Sequence, residues 1–157
     1  MSREVLIAIW TCTHGPIDSA IKFFTHGRGT HAAFVRGNGR IAENFWPHVR
    51  ERDWKPGESR HVHLFRIEGA TKHDWRELEC WIDKELAKPR RYSIRDLLRY
   101  AFNRPPVRGR SGFCSMWVLR GIRLSMAPRL QPLTRLEYED FASPRDLRIS
   151  PKLIPVV

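Results

Sequence analysis

Short apolar runs separated by turn residues fill the first half of the chain, a pattern typical of β-strands. An apolar run over 4–10 predicts a buried strand, and a short helix over 17–24 is expected to follow it. The segments 31–35 and 41–45 flank a Gly-Asn-Gly turn and predict a β-hairpin. Apolar and polar residues then alternate over 60–67, which indicates another strand.

The second half of the chain carries a helical pattern instead. Apolar residues recur every three or four positions over 72–88, so they line one face of a helix. Ser93 is suited to cap a second helix, which the Pro-Pro pair at 105–106 ends. The segment 113–124 is apolar nearly all round, so we expect a third helix at the centre of the molecule. The tail over 127–157 is rich in proline and arginine and is expected to wrap the outside.

Composition narrows the classes of protein to consider. The 157 residues suit a single domain over 1–157. Against 17 acidic residues stand 28 Lys and Arg, and the net charge of +11 favours anionic partners such as nucleic acid, phospholipid or cell-wall polymers. No stretch approaches the ~18 consecutive apolar residues of a membrane span. The first apolar run also lacks the length and cleavage site of a signal peptide.

The three cysteines are the first candidates for chemistry. Cys12, Cys80 and Cys114 are odd in number and lack C-x-x-C spacing, so neither a disulfide framework nor a metal site is expected, and no other cofactor is predicted. Cys114 begins the apolar helix, where free backbone N–H groups and the helix dipole stabilise a thiolate. The N–H groups of Cys114 and Ser115 can hold the oxyanion of a tetrahedral intermediate. From position alone, Cys114 as a small buried hydrophobe remains an alternative.

A base and a residue to orient it can come from the hairpin. His31 begins the first hairpin strand, where its imidazole can deprotonate a thiol. The register of the hairpin selects the third group. A two-residue loop places Asn44 opposite Ala33, on the face of His31, whereas a three-residue loop over 37–39 places Glu43 there. Asparagine would fix the imidazole tautomer, and glutamate would also stabilise the imidazolium.

These residues resemble a known family. The order His31, Glu43, Cys114, with the sequences Thr-His-Ala-Ala-Phe-Val, Ile-Ala-Glu-Asn and Phe-Cys-Ser-Met-Trp-Val around them, is similar to the circularly permuted NlpC-type papain-like enzymes of the YiiX/YaeF-like group. The resemblance covers about residues 5–151. It implies an α+β, permuted papain-like fold in which an antiparallel sheet packs against a central helix bearing the cysteine.

The resemblance also implies roles for individual residues. It assigns Cys114 as nucleophile, His31 as base and Glu43 as the residue that orients His31, with Tyr92 lining the substrate site. Trp46, in the loop after Glu43, is expected to border the cleft. The chain departs from the family pattern at several positions, among them Met116, where the family often has glutamate. Such departures bear on substrate recognition more than on the thiol chemistry.

The expected function is therefore cleavage of an amide bond by a cysteine amidase or peptidase. The Cys114, His31 and Glu43 triad would act through an acyl-enzyme on cell-wall (peptidoglycan) peptides or acylated amines. One alternative is a thiol acyltransferase or lipid deacylase on the same fold, and another is a noncatalytic basic module of a phage tail or a nucleic-acid binder. Nucleic acid is not the leading partner. We expect the protein in the cytoplasm or carried in a phage virion, with phage tail proteins as further partners.

Overall fold

The computed structural model of the protein describes residues 4–11, 19, 30–55, 58–87, 95, 99, 113–127, 144–148 and 150–156. Its strands are β1 (Leu6–Trp10), β2 (His31–Val35), β3 (Ile41–Phe45), β4 (His48–Arg52), β5 (Val62–Ile67) and β6 (Leu153–Pro155). Its helices are a 3₁₀ turn (Glu58–His61), α1 (Lys72–Ala87), α2 (Cys114–Ser125) and α3 (Pro144–Arg148). The helix predicted after Ser93 and most of the helix predicted over 17–24 lie outside the described residues.

The six strands of the described part form one antiparallel sheet in the order β4-β3-β2-β1-β5-β6. Alternation along β1 and β2 sends successive side chains to opposite faces. One face, with Ile9 and Phe34, belongs to the main core beneath the helices. The other carries a second apolar cluster that includes Trp10 and Val35. The α+β architecture predicted from the chain is therefore present.

Two predictions about the sheet differ from the structure. The polar segment after Phe45 is predicted as a loop, but His48–Arg52 forms β4 on the sheet edge. The prediction that the whole tail wraps the outside is wrong for its last residues, because β6 pairs with β5. Leu153 packs into the main core, and the burial of this apolar side chain stabilises the short strand on the sheet.

The two longer helices cover one face of the sheet. Thr71 and Asp74 bond each other reciprocally at the start of α1, which satisfies backbone N–H groups there. The α2 helix is buried from Cys114 through Leu119, as expected of a central helix. Within the described part of the chain, no helix combines the length and apolar composition that a membrane span requires.

A glycine allows α2 to approach the sheet and α1 closely. A Cβ added at Gly121 would lie 2.6 Å from a ring atom of Trp81 and 3.1 Å from the ring of Phe34. We expect Gly121→Ala to lower the free energy of unfolding by about 1–2 kcal/mol, because two packed rings must shift. Thermal denaturation checks this, with Leu124→Ala on the exposed side of α2 as the matched control. A melting temperature equal to the wild-type value would contradict it.

Candidate active site

The hairpin turn fixes the register that places an acid near His31. The backbone N–H of Gly39 donates to the Arg36 carbonyl at 2.8 Å, and the Arg36 N–H donates to the Arg40 carbonyl at 2.8 Å. Gly39 has a φ of 84°, the left-handed conformation that a three-residue hairpin loop requires. The loop therefore spans 37–39, and the two-residue alternative is wrong.

The pairs that follow from this turn carry Glu43 to the face of His31. Phe34 pairs with Ala42, and extending this register by one residue sets Glu43 opposite Ala33. Asn44 then projects to the other face of β3, because side chains alternate along a strand. The Nε2 atom of His31 lies 3.0 Å from Oε2 of Glu43. Both side chains are buried.

Cys114 reaches the same place from the helical layer. The α2 helix packs across β2, where the ring centroids of Trp117 and Phe34 are 5.4 Å apart. The Trp81 ring of α1 lies 5.2 Å from Trp117 and 6.5 Å from Phe34. His31 begins β2 and Cys114 begins α2. Cys114 lies close enough to His31 to raise the pKa of the imidazole through its charge and a side-chain hydrogen bond. Cys114 itself is fully buried.

The electrostatics of the site favour a charged histidine. Burial on its own would lower the pKa of His31, but the charge and hydrogen bond of Cys114 and then those of Glu43 raise that pKa to about 10. The imidazole is therefore protonated at neutral pH and can stabilise a thiolate beside it.

Two arginines of β4 surround the Glu43 carboxylate. Nε of Arg50 and Nε of Arg52 donate to Oε1 at 2.8 and 2.9 Å. Burial would raise the pKa of Glu43, but the hydrogen bonds and charges of His31 and Arg52 hold it well below its usual range. Glu43 thus stays ionised across the physiological range. Sequence reasoning missed both arginines because β4 was read as a loop; Arg50 lies directly opposite Glu43 in the register.

Aromatic rings enclose the imidazole. The Trp10 ring lies 5.2 Å from the His31 ring, and the Phe45 ring meets it edge-on at 5.5 Å. Neither was predicted at the site, although Trp10 ends the strand that pairs with His31. Such rings hold the imidazole in one orientation and keep water from its faces.

Of the remaining candidate residues, the structure describes some and leaves others outside its described ranges. Ser115 is buried in the first turn of α2, and the role of its backbone N–H in holding an oxyanion stays a prediction. Trp46 is half exposed in the turn between β3 and β4, next to Phe45. Tyr92 and Cys12 lie outside the described residues, and Cys80 is exposed on α1.

Comparison with known proteins identifies the fold. No known family profile matches the chain, and no curated protein matches it. The chain is similar to the crystal structure of the metalloprotein YiiX from Escherichia coli O157:H7, with a TM-score of 0.68 and 18% sequence identity. The similarity covers 100% of this chain and 98% of YiiX. The protein therefore has a YiiX-like α+β fold.

Proposed function

We propose that the protein is a cysteine hydrolase of amide bonds, with Cys114 as nucleophile, His31 as general acid and base, and Glu43 as the residue that orients His31. The observation that carries the proposal is the buried imidazole held between a carboxylate and the cysteine at the start of the central helix. A basic module that only binds its partner requires no such arrangement. The permuted papain-like connection remains part of the proposal.

The proposed reaction starts from a Cys114 thiolate beside the His31 imidazolium. The Cys114 thiolate attacks the amide carbonyl carbon, and the backbone N–H groups of Cys114 and Ser115 hold the resulting oxyanion. The C–N bond breaks as His31 gives its proton to the leaving amine, and a thioester remains. His31 then takes a proton from water, the hydroxide attacks the thioester, and the acid product leaves. Cys114 returns to thiolate and His31 to imidazolium.

The proposed substrates are amide bonds of cell-wall peptides or acylated amines. A net charge of +11 supports attraction to anionic wall polymers. Trp46, half exposed beside the aromatic enclosure of His31, is proposed to contact the substrate, as is Tyr92. A cytoplasmic protein or one carried with phage tail proteins in a virion fits this proposal.

The similar structure YiiX is described as a metalloprotein, which raises the question of whether this chain can hold a metal ion. In the ranges that the structure describes, no group of three or more His, Cys, Asp or Glu side chains is arranged to hold a metal ion. The donor set in these ranges does not fit a metal, so no step of the proposed reaction is assigned to one.

A second candidate, a thiol acyltransferase or lipid deacylase, is favoured by one observation. An apolar groove lined by Val35, Trp54, Val62 and Leu64 lies on the sheet face that carries His31. The Trp54 ring stacks on Trp10 at 6.1 Å, and Trp10 contacts His31, so the groove leads toward the site. An acyl chain in this groove would give the same thioester but a lipid-derived product.

Trapping the acyl-enzyme tests the proposal without a known substrate. We expect p-nitrophenyl acetate to add one acetyl group to the protein, which peptide mapping will place on Cys114, because an activated ester supplies its own leaving group. The measurement is intact mass followed by fragmentation. Cys80→Ala, which removes the exposed thiol, is the matched control and should acetylate like the wild type. Acetylation confined to Cys80 would contradict both candidates.

A further inference from the structure

Arg52 joins two carboxylates next to the proposed site. Its guanidinium donates to Glu43 from Nε at 2.9 Å and from Nη2 at 3.3 Å. The same group donates to Glu58 from Nη1 at 2.9 Å and from Nη2 at 2.6 Å. The Arg52 side chain is only 18% exposed, so these charges face each other with little water between them. The planar fork of arginine suits such a bridge, which lysine cannot reproduce.

Glu58 extends this bridge to a ring that contacts His31. The indole N–H of Trp10 donates to Oε1 of Glu58 at 2.8 Å, and the backbone N–H of Lys55 donates to Oε2 at 2.9 Å. Trp10 pairs with His31 across β1 and β2, and their ring centroids are 5.2 Å apart. The contacts from His31 through Glu43, Arg52, Glu58 and Trp10 therefore form a closed ring that ends at His31 again.

We propose that Arg52 is a positioning residue for His31: through Glu43 on one side and through Glu58 and Trp10 on the other, it holds the imidazole in place and sets its charge state. The role in turnover rests on the proposed function. The effect on the protonation of His31 does not, because it follows from charges that are present whether or not the protein is an enzyme.

The signs of the surrounding charges determine how changes at Arg52 and Glu58 shift the pKa of His31. Among the described residues, the titratable groups that face His31 directly are Glu43 from β3 and Cys114 from α2. Behind Glu43 stand Arg50 and Arg52 from β4, and Glu58 lies beyond Arg52. Arg52 partly neutralises Glu43 and so limits how strongly that acid favours the imidazolium. Glu58 in turn partly neutralises Arg52, so changes at 52 and 58 act on His31 in opposite directions.

Opposite shifts in the titration of His31 test the proposal. We expect Arg52→Gln to raise the pKa of His31 by about one pH unit, since it removes a positive charge two hydrogen bonds away at an effective dielectric of about 20. We expect Glu58→Gln to lower that pKa, while its amide oxygen still accepts the Trp10 N–H. NMR titration of the His31 ring measures both shifts. In turnover, the alkaline limb of the rate profile should move the same way.

Matched controls separate this role from simple stabilisation of the sheet. Arg40, just before β3, and Glu51 of β4 form a similar ion pair and do not contact His31, so Arg40→Gln and Glu51→Gln should leave the His31 titration unchanged. Arg52→Lys keeps the charge, and we expect its His31 pKa to lie nearer the wild-type value while kcat falls.

The outcomes separate this inference from the proposed function. Opposite shifts in Arg52→Gln and Glu58→Gln support the inference; no shift, or shifts of the same sign, overturns it. If Arg52→Gln fails to fold, a lowered pKa in Glu58→Gln against an unchanged value in Glu51→Gln decides the question. Opposite shifts in a protein that does not acylate Cys114 would overturn the proposed function while this electrostatic role stood.

Discussion

Replacing Cys114 by alanine is expected to reduce amide hydrolysis at least about a thousandfold, because no other described group at the site can form the thioester. Alanine removes the sulfur and leaves His31 and Glu43 in contact with each other. Product formation from a peptidoglycan stem-peptide mixture, measured by chromatography and mass spectrometry, checks the prediction. Residual rate from the oxyanion donors alone would lie far below the wild-type rate.

Two variants make this result specific to the thiol of Cys114. Cys80→Ala removes an exposed cysteine from α1 and should keep wild-type turnover. Cys114→Ser keeps nearly the same volume in the buried first turn of α2, so its melting temperature shows whether the loss of activity comes from chemistry or from packing. Undiminished hydrolysis by Cys114→Ala would sink the nucleophile assignment.

Replacing Glu43 by glutamine should lower kcat by about 10²–10⁴-fold, the range typical when a histidine loses the acid that orients it. The pKa of His31 should fall as well, since the hydrogen bond and charge of Glu43 help to raise it. A lower pKa means that the imidazolium loses its proton at lower pH, so the alkaline limb of the rate profile moves to lower pH. Steady-state rates between pH 6 and about 11 measure both effects.

Glu51→Gln is the matched control for this substitution. Glu51 also lies on the hairpin side of the sheet and pairs with arginines, Arg36 and Arg40, but it does not contact His31. Its variant should retain wild-type kcat and an unshifted alkaline limb. If Glu43→Gln kept both properties too, the carboxylate would have no part in the reaction, whatever its distance from the imidazole.

The sequence carried enough information for the hairpin and the central helix. The Gly-Asn-Gly turn marks the reversal, and the apolar residues around Cys114 indicate a central helix, which is buried from Cys114 to Leu119. The choice between Glu43 and Asn44 required the register, because both loop lengths agree with the same residues. The hydrogen bonds between Arg36 and Arg40 and the pairing of Phe34 with Ala42 separate them, because a left-handed Gly39 would fit either loop.

The surroundings of the site were harder to predict for a physical reason. In β4 only Val49 is a buried hydrophobe, while Arg50 and Arg52 donate hydrogen bonds to Glu43. The strand therefore lacks the apolar alternation by which strands are recognised in a sequence. Its side chains are polar because their partner is a buried acid from another strand. The contact of Trp10 with His31 was not predicted either, because periodicity indicates burial and says nothing of which ring lies beside a residue.

The hairpin turn at Gly39 decides which side chain of β3 faces His31, and so determines how the site could change. A slip of β3 by one residue would exchange the faces of Glu43 and Asn44, presenting a neutral amide to His31 and turning the acid toward the helices. Burying that carboxylate without its arginines would cost several kcal/mol. The hydrogen-bonded turn between Arg36 and Arg40 thus keeps an acid rather than an amide beside His31. A change of loop length in this turn is where evolution or design would begin to convert an acid-assisted histidine into an amide-assisted one.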